Sequence, residues 1–232
     1  MTYLMSDLHG RYKAYRRMLE TISFSDKDEL YVLGDVVDRG PHSIELLTDM
    51  SMRPNVFPIL GNHDYTAAYF LTRLAAEITE ETAEGYLTEA DISGLSGWLL
   101  DGGAPTLEGF RRLTPGEREG ILDYLTEFVP YEELSVGGRR FVLVHGGLAD
   151  FDPRRPLWEY DPRTLVTEHT DYTRRYFPDR YLVTGHVPTG LIDPRSGGRI
   201  FQENGHIALD CGNGWGGALG CLRLEDMAEF YV

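Results

Sequence analysis

Five short segments of this chain concentrate residues able to do chemistry: Asp7-Leu8-His9-Gly10, Gly34-Asp35-Val36-Val37-Asp38-Arg39-Gly40, Gly61-Asn62-His63-Asp64, His145-Gly146-Gly147 and Gly185-His186. Each follows directly on a short apolar run. Together they hold four of the seven histidines and four aspartates. A single histidine after a strand is commonly a hydrogen-bonded structural residue, and a single aspartate before a helix is commonly an N-cap. Their joint concentration in one kind of position is the informative feature. Hard carboxylate oxygens combined with imidazole nitrogens suit manganese, iron or zinc, and the lack of thiolates in the set argues against a structural zinc site. Two such ions about 3.5–4 Å apart share a bridging carboxylate, lower the pKa of a water and clamp phosphoryl oxygens during in-line attack. Hydrolysis of a phosphate ester is the chemistry this set serves.

For residues so far apart in sequence to converge, strands must present them at one edge, and the carboxyl ends of α/β strands are where sites assemble. The first third alternates strand-like and helical patterns, as βαβ units do. Residues 3–5, 30–33 and 56–60 read as strands, the last an edge or irregular strand because of Pro58. Helical spacing joins Tyr12, Tyr15, Leu19 and Ile22, then Ile44, Leu47 and Met50, then residues 65–76. From about 77 to 129 no strand-like run occurs, which predicts a helical insertion that covers a core or lines a cleft. Within it, Thr114-Pro115-Gly116-Glu117 reads as an N-cap, first-turn proline and capping-box glutamate. The second half is mostly β: Gly137-Gly138 and Asn204-Gly205 predict hairpins, and residues 181–183, 219–224 and 229–232 read as strands. Residues 161–176 read as a helix. The fold class is α/β, one domain over 1–232 with the insertion.

At 232 residues one core suffices, and 42% hydrophobic and 25% charged residues are ordinary for a globular protein. The net charge of −15 argues against nucleic acid or an anionic membrane as the main partner. An anionic substrate would need a strong local positive centre, which bound divalent cations supply. The start at Met1-Thr2-Tyr3 lacks a basic, apolar secretory pattern, so the expected location is cytoplasmic. Cys211 and Cys221 fit neither a redox pair nor a zinc knuckle and read as free thiols.

The five segments resemble the signature blocks of the calcineurin-like metallophosphoesterases, specifically the phosphoprotein phosphatase superfamily: GDxHG, GDxVDRG, GNHE or GNHD, HGG and GH. All five occur in order over residues 6–186, with Ser6 where the first block usually has glycine. The resemblance implies two facing β-sheets flanked by helices, with two metals at the sheet ends, manganese first among the candidates and iron or zinc after it. It further implies that Asp7 and His9 bind the first metal, Asp35 bridges both, and Asn62, His145 and His186 complete the second. His63 is then the general acid, held by Asp38, and Arg39 grips the phosphoryl group. Leu209-Asp210-Cys211-Gly212, followed by Gly216-Gly217-Ala218-Leu219, is similar to the family's C-terminal block and reads as packing behind the site.

Bacterial protein phosphatases of this superfamily usually carry a second phosphate-binding arginine near a Leu-Trp pair, and here Tyr160 occupies that position. Either Arg154, Arg155 or Arg163 supplies the charge, or Arg39, His63 and the metals suffice. Asp64 resembles the relatives that hydrolyse symmetrical dinucleoside tetraphosphates, whereas Asp38 resembles the protein phosphatases. The expected activity is phosphomonoester hydrolysis by a serine/threonine phosphatase acting on phosphorylated protein or a small phosphoester. The alternative is a symmetrical dinucleoside tetraphosphate hydrolase, and a third reading is an inactive phospho-ligand binding module.

Overall fold

Alternation of apolar residues on the first strand already divides the molecule into layers. In β1 (Thr2–Met5), Leu4 points one way and Tyr3 and Met5 the other, the period of two expected of a strand. Leu4 meets Leu33, Ile59, Phe141, Leu143, Val183 and Ile207 in a cluster between two sheets. Tyr3 and Met5 join a second cluster built with helices on the outer face. The structure, a computed structural model, describes residues 1–76 and 88–232.

Strands β2 (Glu29–Leu33) and β3 (Val56–Ile59) run parallel to β1, and β9 (Gly220–Arg223) and β10 (Ala228–Tyr231) extend that sheet antiparallel, in the order β10-β9-β1-β2-β3. Pro58 does lie on an edge strand. The second sheet has the order β4-β5-β6-β8-β7, from β4 (Tyr131–Val136), β5 (Arg139–Val144), β6 (Tyr181–Thr184), β7 (Phe201–Glu203) and β8 (His206–Ala208). Its β5, β6 and β8 are parallel. Both hairpin turns put two successive residues at positive φ, Gly137 and Gly138, then Asn204 and Gly205, the geometry that matches strand twist.

Outside the first sheet pack α1 (Tyr12–Thr21), α2 (Ser43–Ser51), α3 (Asn62–Ala75) and α6 (Pro115–Thr126) through Tyr15, Met18, Leu47, Phe70, Ile121 and Leu125. Outside the second, Val142, Val144 and Leu182 meet Leu148, Leu157, Tyr160 and Leu165, the last on α7 (Pro162–Thr167). The result is two facing five-stranded mixed sheets flanked by helices, as expected.

The described part of the predicted insertion is helical, with α4 (Glu89–Trp98), a π turn at Leu99–Gly103, α5 (Ala104–Arg111) and then α6. Residues 77–87 of that insertion lie outside the described residues. Thr114 caps α6 as predicted: its N–H donates to Glu117 Oε2 at 2.8 Å and its hydroxyl accepts from the Glu117 N–H.

Two boundaries differ from expectation. Helix α3 starts at Asn62, not 65, because Asp64 reaches back to accept the Gly61 N–H at 3.1 Å and stabilises the first turn. Helix α7 stops at Thr167 instead of continuing to 176. Beyond it, Thr170 donates to the Gly146 carbonyl and Asp171 accepts from the Thr173 N–H and hydroxyl, local bonds that compete with a helix.

Candidate metal centre and active site

All six parallel strands end on one edge, and each is followed within three residues by an acidic, amide or imidazole side chain: Asp7, Asp35, Asn62, His145, His186 and Asp210. Asp7, His9, Asp35, His63 and His145 are each at most 3% exposed, while Arg39, Asn62 and His186 are half-buried. Of ten non-glycine residues at positive φ among the described residues, six are here: Asp7, His9, Asp35, Asp38, Arg39 and His186. Each such conformation costs on the order of 1 kcal/mol. That strain turns side chains at strand ends toward one another.

Asp35 sits at the centre. Its Oδ2 is 3.5 Å from His9 Nε2 and its Oδ1 is 3.3 Å from His145 Nε2, so the two oxygens face different imidazoles. Asn62 Oδ1 is 3.0 Å from both His145 Nε2 and His186 Nδ1. Asp7 Oδ1 lies 4.0 Å from His9 Nε2, and the Asp7 carboxylate accepts the His186 N–H. Among the described residues two clusters able to hold a cation follow, His9 with Asp35 and His63, and Asp35 with His145 and His186. Asp35 belongs to both.

The imidazoles are oriented by backbone. His9 Nδ1 lies 3.0 Å from the Val37 carbonyl and His145 Nδ1 lies 2.8 Å from the Leu33 carbonyl. Those contacts orient each ring through Nδ1 and turn each Nε2 toward Asp35. Burial pushes His9 down to about 3 and His186 down to about 4, so both are neutral, the ligating form. Burial opposes charge on His145 as well, but Asp35 overrides it and lifts this histidine up to about 10. Burial, then Asp210, drive Asp7 well above the usual carboxylate range. Burial opposes charge on Asp35 too, but His145 overrides it and holds this carboxylate well below the usual range, so the centre of the site keeps the negative charge that a cation needs.

A second constellation adjoins the first. His63 Nδ1 lies 2.8 Å from Asp38 Oδ2, and its Nε2 lies 2.9 Å from Arg39 Nη2 and 3.6 Å from Asp101 Oδ2. Burial alone would lower the His63 pKa, but the Asp38 hydrogen bond and the charges of Asp35 and Asp38 raise it. Arg39 Nη1 also touches His9 Nε2 at 2.6 Å. The guanidinium thus spans both histidines at the mouth of the site.

A model of the calcineurin-like phosphoesterase family matches residues 2–209. The chain belongs to that family. Among curated relatives, a symmetrical bis(5'-nucleosyl)-tetraphosphatase from Buchnera aphidicola is 37% identical over 100 residues, 42% of this chain and 36% of the relative. The stretch matched is therefore only about a third of that relative's length. The enzyme of the same description from Nitrosospira multiformis is 31% identical over 98% of this chain and 94% of its own. A solved structure provisionally described as a diadenosine tetraphosphatase superposes with a TM-score of 0.65 at 18% identity, covering 100% of this chain and 92% of that one. A serine/threonine phosphatase from Saccharomyces cerevisiae gives 0.56 at 14%, covering 100% and 78%. The structural likenesses establish the calcineurin-like fold and do not divide its substrates.

The two positions that bear on the substrate class, Asp64 and Tyr160, are both buried. Asp64 is fully buried and accepts the N–H groups of Val36, Val37 and Gly61, pinning two loops together. Burial and Asp35 push it up to about 7. Tyr160 is buried in the outer cluster. Arg154 is paired with Asp152, Arg155 donates to the Glu159 carbonyl while stacking on Tyr160, and Arg163 bonds Asp161 and Thr167 through its backbone, so among the described residues none of the three makes a hydrogen bond or ion pair with the site.

The residues that hold Asp38 carry no signal in the sequence. Trp98 Nε1 donates to its Oδ2 at 2.7 Å, Thr106 Oγ1 to its Oδ1 at 2.7 Å, and the Asp38 N–H meets Ser43 and Thr106 hydroxyls. Trp98 and Thr106 belong to the insertion, which also brings Asp101 to the site and offers the Gly102 carbonyl to the Arg39 N–H. Gly102 has φ +107, and a Cβ there would stand 2.7 Å from Arg39 Cγ. The Asn213 amide donates to the Asp7 and Leu8 carbonyls. Its only sequence signal is a place in the C-terminal block.

Trp98→Phe keeps the stacking on Phe70 but removes the donor to Asp38. We expect a stability loss of about 1–3 kcal/mol in urea unfolding, with kcat down roughly tenfold as Asp38 orients His63 less tightly. An unchanged kcat would separate the insertion from function.

Proposed function

We propose that this chain is a phosphoester hydrolase using two divalent cations, manganese first, and that its substrate is a symmetrical dinucleoside tetraphosphate cleaved to two nucleoside diphosphates. Asp7 and His9 would hold one cation, Asn62, His145 and His186 the other, and Asp35, which faces both groups, would serve each. When bound, such cations supply an activated water and charge for the phosphoryl oxygens. Arg39 leaves its contacts with His9 and His63 to grip the phosphoryl group. His63 passes its Nε2 proton to the leaving oxygen, and Asp38 fixes the imidazole through Nδ1 and stabilises its charged form. The inner cluster shared by both sheets supports one domain.

The observation carrying the substrate is the match, nearly end to end in both chains, to the Nitrosospira multiformis tetraphosphatase. A serine/threonine protein phosphatase is the second reading, favoured by the Asp38–His63 pair. Manganese-loaded protein given diadenosine tetraphosphate and a phosphothreonine peptide side by side tests the choice. Our reading expects kcat/KM for the dinucleotide to exceed that for the peptide at least tenfold, with ADP as the sole nucleotide product. Faster peptide hydrolysis, or ATP and AMP as products, would overturn it.

Cation binding should also stabilise the fold by relieving repulsion among Asp7, Asp35 and Asp210. At a hundred times Kd the linkage is about 2.7 kcal/mol, equivalent to a Tm rise of roughly 5–10 °C for a domain of this size. Calorimetry with manganese and after chelation measures it, and equal Tm values would contradict the site. Among the described residues no helix is long and apolar enough to cross a membrane.

A further inference from the structure

Trp215 is 70% exposed and stands directly beside the site, against Arg39. It ends the short turn Asn213–Trp215, with glycines at positive φ, Gly212 and Gly216, on either side. This turn is fixed to the metal loop. The Asn213 amide donates to the Asp7 and Leu8 carbonyls at 3.1 and 3.0 Å, and Gly214 packs so closely on His9 that an added Cβ would lie 2.3 Å from its ring. The Arg39 guanidinium lies 4.5 Å from the centre of the Trp215 ring. An aromatic surface is thus held rigidly next to the arginine that grips phosphate, and most of it faces solvent.

The neighbouring groove carries two basic side chains, Arg11 and Lys13, in a chain whose net charge is −15. That groove, of about 380 Å³, runs beside the turn and is also lined by His42, Gly216 and Gly217 among others. Arg11 Nη2 donates to the Gly214 carbonyl at 3.4 Å, while its buried Nε has no partner. Aromatic faces beside arginines and a basic groove are the means by which proteins hold bases and phosphates together.

Building on the proposed dinucleotide reading, we infer that Trp215 is a specificity residue on which one nucleobase of the substrate stacks, with its non-reacting phosphates along Arg11 and Lys13. A simpler role, in which Trp215 only props Arg39, needs one ring face and leaves the rest of the exposed indole without use. The two roles predict different behaviour. Loss of a prop weakens every phosphate ligand, whereas loss of a stacking surface weakens only those that carry a base.

The experiment measures binding of ADP and of inorganic pyrophosphate to the manganese-loaded protein by calorimetry, in wild type, Trp215→Ala and Trp215→Phe. Stacking predicts that wild type prefers ADP and that Trp215→Ala weakens ADP about 5- to 100-fold with pyrophosphate changed less than twofold. Trp215→Phe should restore most of the ADP affinity. Equal weakening of both ligands, no change in either, or no preference for ADP in wild type would each overturn the inference. If wild type hydrolyses diadenosine tetraphosphate to ADP while these results are negative, stacking alone fails. If it does not hydrolyse the dinucleotide, the underlying substrate reading fails with it.

Discussion

Asp35→Asn should reduce hydrolysis by at least about 10³-fold, beyond the 10²–10³ that removal of a single electrostatic stabiliser commonly costs, and it should do so by emptying the site of metal. The substitution is nearly isosteric. The Asn side-chain oxygen can still accept the His63 N–H that Asp35 Oδ1 accepts at 3.0 Å, so the loop keeps its main local bond. What is lost is the negative charge between His9 and His145, the one group common to both clusters. A neutral amide offers one weak ligand oxygen where a carboxylate offers two. Elemental analysis of the purified variant should find fewer than one manganese per chain, and circular dichroism should find it folded. A variant that retained two metals and a tenth of its activity would show that Asp35 does not bridge.

His63→Ala should leave the metal content unchanged and lower kcat by about 10²–10⁴, the range for a lost general acid. His63 and Asp35 lie in one cluster with His9, so proximity alone would allow His63 to be a ligand. Its Nδ1 is occupied by Asp38, and its Nε2 faces Arg39 and Asp101 at the open side of the site. That orientation suits a proton donor to a leaving group. The deficit should therefore shrink on p-nitrophenyl phosphate, whose leaving group needs little protonation, and be larger on a phosphothreonine peptide or the dinucleotide. A uniform deficit accompanied by metal loss would make His63 a ligand instead.

How far the sequence reveals this site depends on the range of the interactions involved. The five blocks are legible because each is local, a strand of period two or a buried apolar run that ends in polar residues and glycine. Both hairpins are legible because Gly137-Gly138 and Asn204-Gly205 supply positive φ where the turn requires it. Asn62 falls within α3 rather than ahead of it because Asp64, which by its motif position bears on the substrate class, turns inward as a cap. The hold of Trp98 and Thr106 on Asp38 spans 60 and 68 residues and depends on how the insertion docks, which no local pattern encodes. The same is true of the Asn213 anchor more than 200 residues from Asp7. The short reach of α7 reflects competition from Thr170 and Asp171, whose side-chain bonds a helical spacing of apolar residues does not register.

These long-range supports also explain why the strained backbone persists. Six site residues sit at positive φ, and each is tied down by a neighbour in another segment or by the motif loop itself. Asp7 is fixed through the Gly34 carbonyl and Asn213, His9 through the Asp35 and Val37 carbonyls, and Arg39 through the Gly102 carbonyl. Preorganisation of this kind places donors before a ligand arrives, which favours tight cation binding and a fixed orientation of the reacting group.

The most direct measurement is anomalous diffraction from crystals soaked in manganese, collected near the manganese edge. Two peaks are expected to flank Asp35, one on the side of Asp7 and His9 and one on the side of Asn62, His145 and His186, with His63 Nε2 coordinating neither. A single peak, or a peak ligated by His63, would contradict that arrangement.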